Sequence, residues 1–234
     1  MNVLATKWMI CRLVLLLVPA ANVPSVKSIV HDMESRYHHA RTLQAQFYEQ
    51  YTDGHGGGAA ESGVVYFSRP DRMRWEYESP QQKLFLVDGT NVWYYVPADK
   101  VASRARIRQS DDWRTPIAFL AGKLDLGKFC KTIELADPES DSSVAPLVPE
   151  DSVLQCVPRS GSSDSPGSIQ LIFFEVQPSG YLARILIRQP GNAQIEFRFG
   201  NWKEDIPIEE TMFHFSPPSG VSIVDEESLL QSVQ

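Results

Sequence analysis

Short strand-like runs separated only by turn residues dominate the first half of the chain and constrain its fold most strongly. Each run holds five to eight residues, and Gly, Pro, Asp or Ser residues separate it from the next. Connections this short cannot hold a crossover helix, so neighbouring strands should be antiparallel and joined as a meander. The runs are Gly63–Ser68, Arg72–Glu78, Lys83–Val87, Asn91–Val96 and Val101–Arg108.

The same pattern precedes and follows this meander. A strand begins at Leu43, where the apolar period changes to two, and Asp53–Gly58 is predicted as a turn. Asp137–Asp151 and Ser160–Gly167, rich in Pro, Ser and acidic residues, are predicted as surface loops. Later strands are predicted at Phe129–Ala136, Ser152–Pro158, Ser168–Val176, Tyr181–Arg188, Ala193–Phe199 and Thr211–Phe215. The chain is therefore expected to be mainly β, with a single domain built on about eleven strands.

Two segments have helical patterns. Ser25–Arg41 places apolar residues three and four positions apart, which predicts a helix with one apolar stripe that can lie on the sheet. Thr115–Gly122 predicts a short, strongly apolar helix, with Thr115 as the cap, Pro116 as the first helical residue and Gly122 as the terminator.

Residues 1–23 have the charge and hydropathy order of a secretory signal peptide. Lys7 and Arg12 are their only charges, and an apolar run from Leu13 to Val18 leads into Pro19-Ala20-Ala21. This run is shorter than the ~20 apolar residues of an ordinary membrane-spanning helix. We therefore expect export, cleavage near residue 23 and a mature domain at 24–234, with an uncleaved membrane anchor as the alternative.

The charge of the predicted mature domain disfavours nucleic acid as a partner. The chain has 22 basic and 29 acidic residues, and Lys7 and Arg12 fall in the predicted signal, so the mature domain has a formal charge of −9. An acidic surface of this kind repels both nucleic acid and anionic lipid surfaces.

Two cysteines remain after the predicted cleavage. Cys130 and Cys156 both lie in strand-like segments that could form a hairpin, and an oxidising compartment permits a disulfide between them. The sequence leaves open whether this disulfide forms.

The sequence has no recognisable catalytic motif. It lacks Gly-x-Ser-x-Gly, a phosphate-binding glycine loop and His-Glu-x-x-His. His38 and His39 are adjacent on the predicted helix and point in different directions, so they cannot share a metal as an i, i+4 pair would. We expect a protein that is not an enzyme and needs no metal or cofactor.

The strand Arg72–Glu78 is the most informative segment for function. Met73, Trp75 and Tyr77 alternate with charged residues, so one face of this strand is wide and apolar. We expect neighbouring strands to extend this apolar face with Phe67, Leu84, Leu86, Trp93 and Tyr95. Two interpretations remain: a filled core, or a cavity for a hydrophobic ligand, because the predicted helices cannot readily cover so large a sheet.

Several blocks in fixed order resemble the family of outer-membrane lipoprotein carrier proteins, LolA. They are Arg69-Pro-x-x-x-Arg74-Trp75, Asp88-Gly89-x-x-Val92-Trp93-x-Tyr95, Thr115-Pro116 before an apolar helix, and Phe213-x-Phe215-x-Pro217-Pro218-x-Gly220-Val221. The resemblance covers nearly the whole mature chain, from about Ile29 to Asp225.

This resemblance implies a half-open, incomplete antiparallel β-barrel with a helical lid over an apolar cavity. It implies a monomeric periplasmic carrier that takes lipoproteins from an inner-membrane ABC exporter of the LolCDE type and passes them to an outer-membrane receptor. Arg69 would hold the lid closed, while Trp75, Phe119, Leu120 and Ile185 would line the cavity. The alternative is a periplasmic lipid-sensing or glycolipid-binding module of the same fold.

Overall fold

A computed structural model describes residues 24–106, 125–159 and 168–225. The predicted signal peptide and the predicted helix Thr115–Gly122, with Phe119 and Leu120, lie outside these ranges. The helices are α1 (Val26–His39) and α2 (Leu126–Phe129). The strands are β1 (Thr42–Thr52), β2 (Gly58–Ser68), β3 (Arg72–Ser79), β4 (Lys83–Val87), β5 (Asn91–Val96), β6 (Val101–Arg106), β7 (Cys130–Leu135), β8 (Ser152–Pro158), β9 (Leu171–Val176), β10 (Leu182–Arg188), β11 (Gln194–Glu204) and β12 (Ser222–Asp225).

All the strands of the described ranges belong to one sheet. Their order is β12-β6-β5-β4-β3-β2-β1-β11-β10-β9-β8-β7, so β12 and β7 form two edges that do not pair with each other. Neighbours are antiparallel except for β12 and β6, which run parallel. The mainly β, incomplete barrel expected from the sequence is therefore confirmed.

The sheet is curled rather than flat. Strands β3 and β11 are separated by β2 and β1, a distance of about 14 Å across a flat sheet. The rings of Trp75 on β3 and Phe197 on β11 nevertheless lie only 5.7 Å apart between centroids. We call the face that carries these two rings the concave face, and the opposite face the convex face.

Helix α1 begins and ends where its sequence predicts. The Ser25 hydroxyl caps the helix by accepting a hydrogen bond from Ser28 N, and Ala40 leaves helical geometry at the other end. The buried residues Ile29, Met33 and Tyr37 form the apolar stripe that packs into the core of the concave face. The expected helical lid is therefore present.

Other boundaries differ from the sequence predictions. Strand β2 begins at Gly58 rather than Gly63, and β11 continues to Glu204. The predicted strand Thr211–Phe215 is wrong: Glu210–Phe213 is a 3₁₀ turn, in which His214 N bonds to Thr211 O. Its alternating aromatics arise from packing of an irregular segment on the convex face. Strand β12, which pairs with β6 and joins Asp225 to Arg104 at 2.7 Å, was not predicted.

Within the described ranges, no helix is long and apolar enough to cross a membrane.

Candidate ligand-binding site

An aromatic layer occupies the centre of the concave face. The Trp75 side chain is 1% exposed and makes edge contacts with four rings, at centroid distances of 4.7 to 6.4 Å. These rings belong to Phe47, Phe67, Phe197 and Phe199. They come from β1 and from the strands on either side of it, β2 and β11, and the curl of the sheet brings them onto Trp75. The concave face in this structure is closed around a packed aromatic interior.

Helix α1 lies against one end of this layer. The Tyr37 ring packs edge-on to Trp202 at 5.6 Å, and Trp202 in turn contacts Phe199. The Tyr37 hydroxyl accepts a hydrogen bond from Leu182 N at 3.0 Å, and burial raises the pKa of this tyrosine. At the helix surface, Arg36 pairs with Glu204 at 2.7 Å. The helix is thus joined to β10 and β11 by a few polar contacts around an apolar stripe.

Arg69 connects the end of α1 to the sheet. Its Nε donates a hydrogen bond to Ala40 O at 2.7 Å, and its backbone N–H donates to Arg41 O at 3.0 Å. A cation suits this position because the carbonyl end of a helix carries a partial negative charge. Burial lowers the pKa of Arg69. A cleft of about 10 Å³ lies beside this contact, between α1 and the β1–β2 edge.

Four of the predicted lining residues do meet on the concave face. Phe67, Met73, Trp75 and Ile185 are each at most 3% exposed and belong to the same apolar cluster as α1. Ile185 lies between Phe174 and Phe197 on the neighbouring strands.

The prediction that Leu84, Leu86, Trp93 and Tyr95 share this face is wrong. Leu86 is paired with Arg74 and Trp93, while Met73 is paired with Val87, so the side chains of Leu86, Trp93 and Tyr95 point to the convex side. There they form a separate cluster with Leu84 and Phe213, and the Phe215 ring lies 5.2 Å from both Trp93 and Tyr95. The sequence could not separate the two sets, because a register change of one residue moves a whole strand pattern to the other face.

Sequence reasoning also missed a row of polar side chains on the concave face beside the aromatic layer. Strands β1 to β5 contribute one residue each: Glu49, Glu61, Tyr77, Lys83 and Tyr94. We call this set the polar row. The sequence holds one clue to this row. Leu43, Ala45 and Phe47 occupy alternate positions of β1 that face the interior, and Glu49 occupies the next position on the same face.

Cys130 and Cys156 are joined by a disulfide. It links the start of β7 to β8 on the concave side, and both cysteines are at most 2% exposed. Directly before it, Leu126 N donates to Glu34 Oε1 at 2.7 Å, so α1 also contacts the chain where it enters β7. No group of acidic, His or Cys residues in the described ranges could hold a metal ion.

The protein is thus an incomplete β-barrel whose aromatic concave face is covered by a helix. The profile of the family described as Outer membrane lipoprotein carrier protein LolA matches residues 38–216. The chain belongs to this family.

Individual relatives agree with the family match. The chain is 28% identical over 187 residues to an outer-membrane lipoprotein carrier protein of Coxiella burnetii, covering 80% of this chain and 82% of the relative. It is 26% identical over 205 residues to one of Nitrosomonas europaea, covering 86% and 91%. Among solved structures, an uncharacterized conserved protein from Thermus thermophilus has the same fold, with a TM-score of 0.53, 12% identity and coverage of 87% and 100%.

Proposed function

We propose that this protein is a non-catalytic, monomeric carrier of the periplasm that binds the acyl chains of lipoproteins. It would receive them from an inner-membrane ABC exporter of the LolCDE type and deliver them to an outer-membrane receptor. Membership of a family named for lipoprotein carriage supports the carrier role, and the geometry of the concave face supports acyl chains as the ligand.

The carrier role follows from the cost of moving an acyl chain through water. Each exposed CH₂ loses about 0.8 kcal/mol of favourable burial, so a chain of about sixteen carbons costs on the order of 12 kcal/mol. A carrier must therefore offer an apolar interior that is nearly equivalent to a membrane. Phe67, Met73, Trp75 and Ile185 are the proposed contacts on the concave face, and Phe119 and Leu120 are proposed to join them.

The attachment of α1 to the sheet is the observation that carries this proposal. The helix covers an apolar interior, yet at its carboxyl end the sheet holds it through Arg69 Nε and Ala40 O. A hydrogen bond of this kind contributes about 1 kcal/mol net. The favourable free energy of acyl-chain entry can offset the loss of this hydrogen bond. After the chain is released, the same hydrogen bond favours closure.

The role of Arg69 can be tested with the variant Arg69→Leu. We expect it to bind acyl chains but to deliver lipoprotein to a receptor-containing membrane several-fold more slowly, because the closed state loses its hydrogen bond to Ala40 O. The matched control is Arg41→Leu, which removes a neighbouring arginine whose side chain is 86% exposed. Normal transfer by Arg69→Leu would contradict the assigned role.

The cargo class can be tested by native mass spectrometry of the protein purified from a periplasm. We expect co-purified lipoprotein or lipopeptide. Bound glycolipid without any transfer activity would instead favour the lipid-sensing or glycolipid-binding alternative.

The binding face can be tested by tryptophan fluorescence during titration with a lipopeptide. The emission change should persist in Trp93→Phe, which alters the convex face, and should be clearly smaller in Trp75→Phe, which leaves only the signal of other tryptophans such as Trp202 beside α1. The opposite result would move the ligand to the convex face.

A further inference from the structure

The polar row is unusual because charged side chains interrupt the apolar concave face. Glu49 and Glu61 lie directly opposite each other on β1 and β2. The Tyr77 hydroxyl donates to Glu49 Oε2 at 2.9 Å, and the Tyr77 ring lies 5.0 Å from the ring of Phe47 in the aromatic layer. The polar row therefore begins where the aromatic layer ends.

Lys83 bonds to only one of the two glutamates. Its ammonium contacts both carboxylate oxygens of Glu61 across β3 and lies 4.7 Å from the centre of the Tyr77 ring. Beside this contact β2 has a bulge at Gly63, where a Cβ would lie 1.8 Å from Glu76 O, so β2 and β3 approach closely there. Glu49 has no cationic side chain bonded to it in the described ranges. The row thus retains one carboxylate that has no bonded cation, although the Lys83 charge acts on it from a distance; burial raises the pKa of Glu49.

A second observation concerns Trp75, which neighbours the polar row on the concave face. Trp75 precedes Tyr77 by two residues on the same face of β3, and its indole N–H is buried without a hydrogen-bond partner among the residues that the structure describes. A buried donor of this kind is normally satisfied, so an unpaired one suits an acceptor that arrives with a ligand. A carbonyl oxygen at Trp75 and an ammonium at Glu49 would together satisfy both groups.

We propose that the polar row and Trp75 Nε1 form a head-group subsite at the end of the acyl-chain site. It selects amphiphiles whose head carries an ammonium close to an ester or amide carbonyl, and it disfavours carboxylate heads. The selection rests on the proposed carrier function and adds to it a preference among lipid classes. An anionic head would face Glu49 and Glu61, whereas an ammonium would pair with Glu49 beside the Tyr77 ring.

The test compares three single-chain amphiphiles of equal length: hexadecylamine, hexadecanol and palmitic acid. Each displaces a fluorescent fatty-acid analogue at pH 7, at concentrations where the amphiphile is monomeric. We expect hexadecylamine to bind roughly tenfold more tightly than palmitic acid, which corresponds to one added charge contact in a partly buried site. Hexadecanol should fall between them.

Variants locate the effect. Glu49→Gln should bring the amine and acid affinities within about twofold of each other, and Lys83→Gln should increase the amine preference because Glu61 loses its partner. Glu78→Gln, at an exposed position of β3 outside the polar row, is the matched control and should change nothing. Circular dichroism confirms that each variant is folded.

The outcomes separate the two proposals. If none of the three amphiphiles binds, the carrier function itself fails, and the head-group subsite fails with it. If all three bind equally, or if the amine preference survives in Glu49→Gln, the carrier function stands and the head-group subsite is wrong.

Discussion

The concave and convex faces of the sheet are both covered, but the covers are attached in different ways. On the concave face, α1 contributes an apolar stripe, and its polar contacts to Glu204 and Arg69 lie at its surface and its end. On the convex face, the segment 137–151 covers a buried ion pair between Arg184 and Glu175, which are 4% and 0% exposed.

The convex cover is held by buried charge along its length. Arg184 donates to Ser143 O and Ala145 O, and Glu175 accepts a hydrogen bond from Leu147 N. Val144, 1% exposed, packs between these contacts. Opening this cover would leave charges without partners at a low-dielectric site. Opening the concave cover would instead break the partly exposed ion pair of Arg36 and Glu204 and a buried neutral hydrogen bond between Leu182 N and Tyr37. The proposed carrier function requires the concave cover to open and the convex cover to stay closed.

The largest expected effect is on the free energy of unfolding, when Trp75 on the concave face is compared with Trp93 on the convex face. Trp75→Ala should lower the free energy of unfolding by roughly 3–5 kcal/mol, since it leaves a cavity among four rings that cannot collapse. Trp93→Ala should cost about 2–3 kcal/mol, because the irregular segment that carries Phe215 can move inward. Urea denaturation of both variants measures the difference; equal losses would mean that the two faces are equally rigid.

A smaller effect compares the two arginines that hold the covers. Arg184→Met should cost about 3 kcal/mol because it leaves Glu175 buried without its partner, and adding Glu175→Leu should recover much of the loss. Arg36→Met breaks the pair with Glu204, whose side chains are 32% and 29% exposed, and should cost about 1 kcal/mol or less. Thermal unfolding of the three proteins checks this ranking; a larger loss for Arg36→Met would contradict it.

The smallest expected effect concerns pH and the convex rim. Burial alone would raise the pKa of the Asp88 carboxyl. Hydrogen bonds from Asn91 N, Thr90 N and the Trp93 indole outweigh this effect and hold the pKa below its ordinary value. Ionised Asp88 therefore contributes fully to the free energy of unfolding above the ordinary pKa of 3.8. This stabilisation is lost as pH falls through the lower pKa of the folded state.

Asp88→Asn should accordingly destabilise the protein by about 1 kcal/mol at pH 7, and the difference from the unmodified protein should vanish in strong acid. Asp151 should show the opposite pH dependence, because burial raises its pKa. Protonated Asp151 stabilises the folded state, and this stabilisation is lost as pH rises through the raised pKa. Urea midpoints measured from pH 2 to pH 7 distinguish the two; a deficit for Asp88→Asn that stays constant down to pH 2 would exclude the charge as its cause.

The sequence predicts local structure well and the placement of faces poorly. Helix α1 and the meander from β2 to β6 follow from apolar spacing and turn residues, which are local properties. Which face Trp93 points to depends on the register between β4 and β5. Both faces of these strands carry apolar side chains, so the hydrophobic pattern does not determine this register.

Long-range pairing accounts for the remaining differences. Strand β12 pairs with β6 across more than a hundred residues, and its four exposed residues have no distinctive alternation. The polar row likewise becomes visible only when five strands are aligned, although Glu49 in an apolar phase was a local sign of it.

Strand β12 also bears on how copies of this protein behave at high concentration. An incomplete barrel exposes strand edges, and an unpaired edge is a template on which another chain can add a strand. The four described residues of β12 cover the edge of β6, and the pair of Arg104 and Asp225 places charge beside it. An edge that carries charged side chains is a poor template, so this strand should protect the β6 side of the half-barrel from edge-to-edge aggregation.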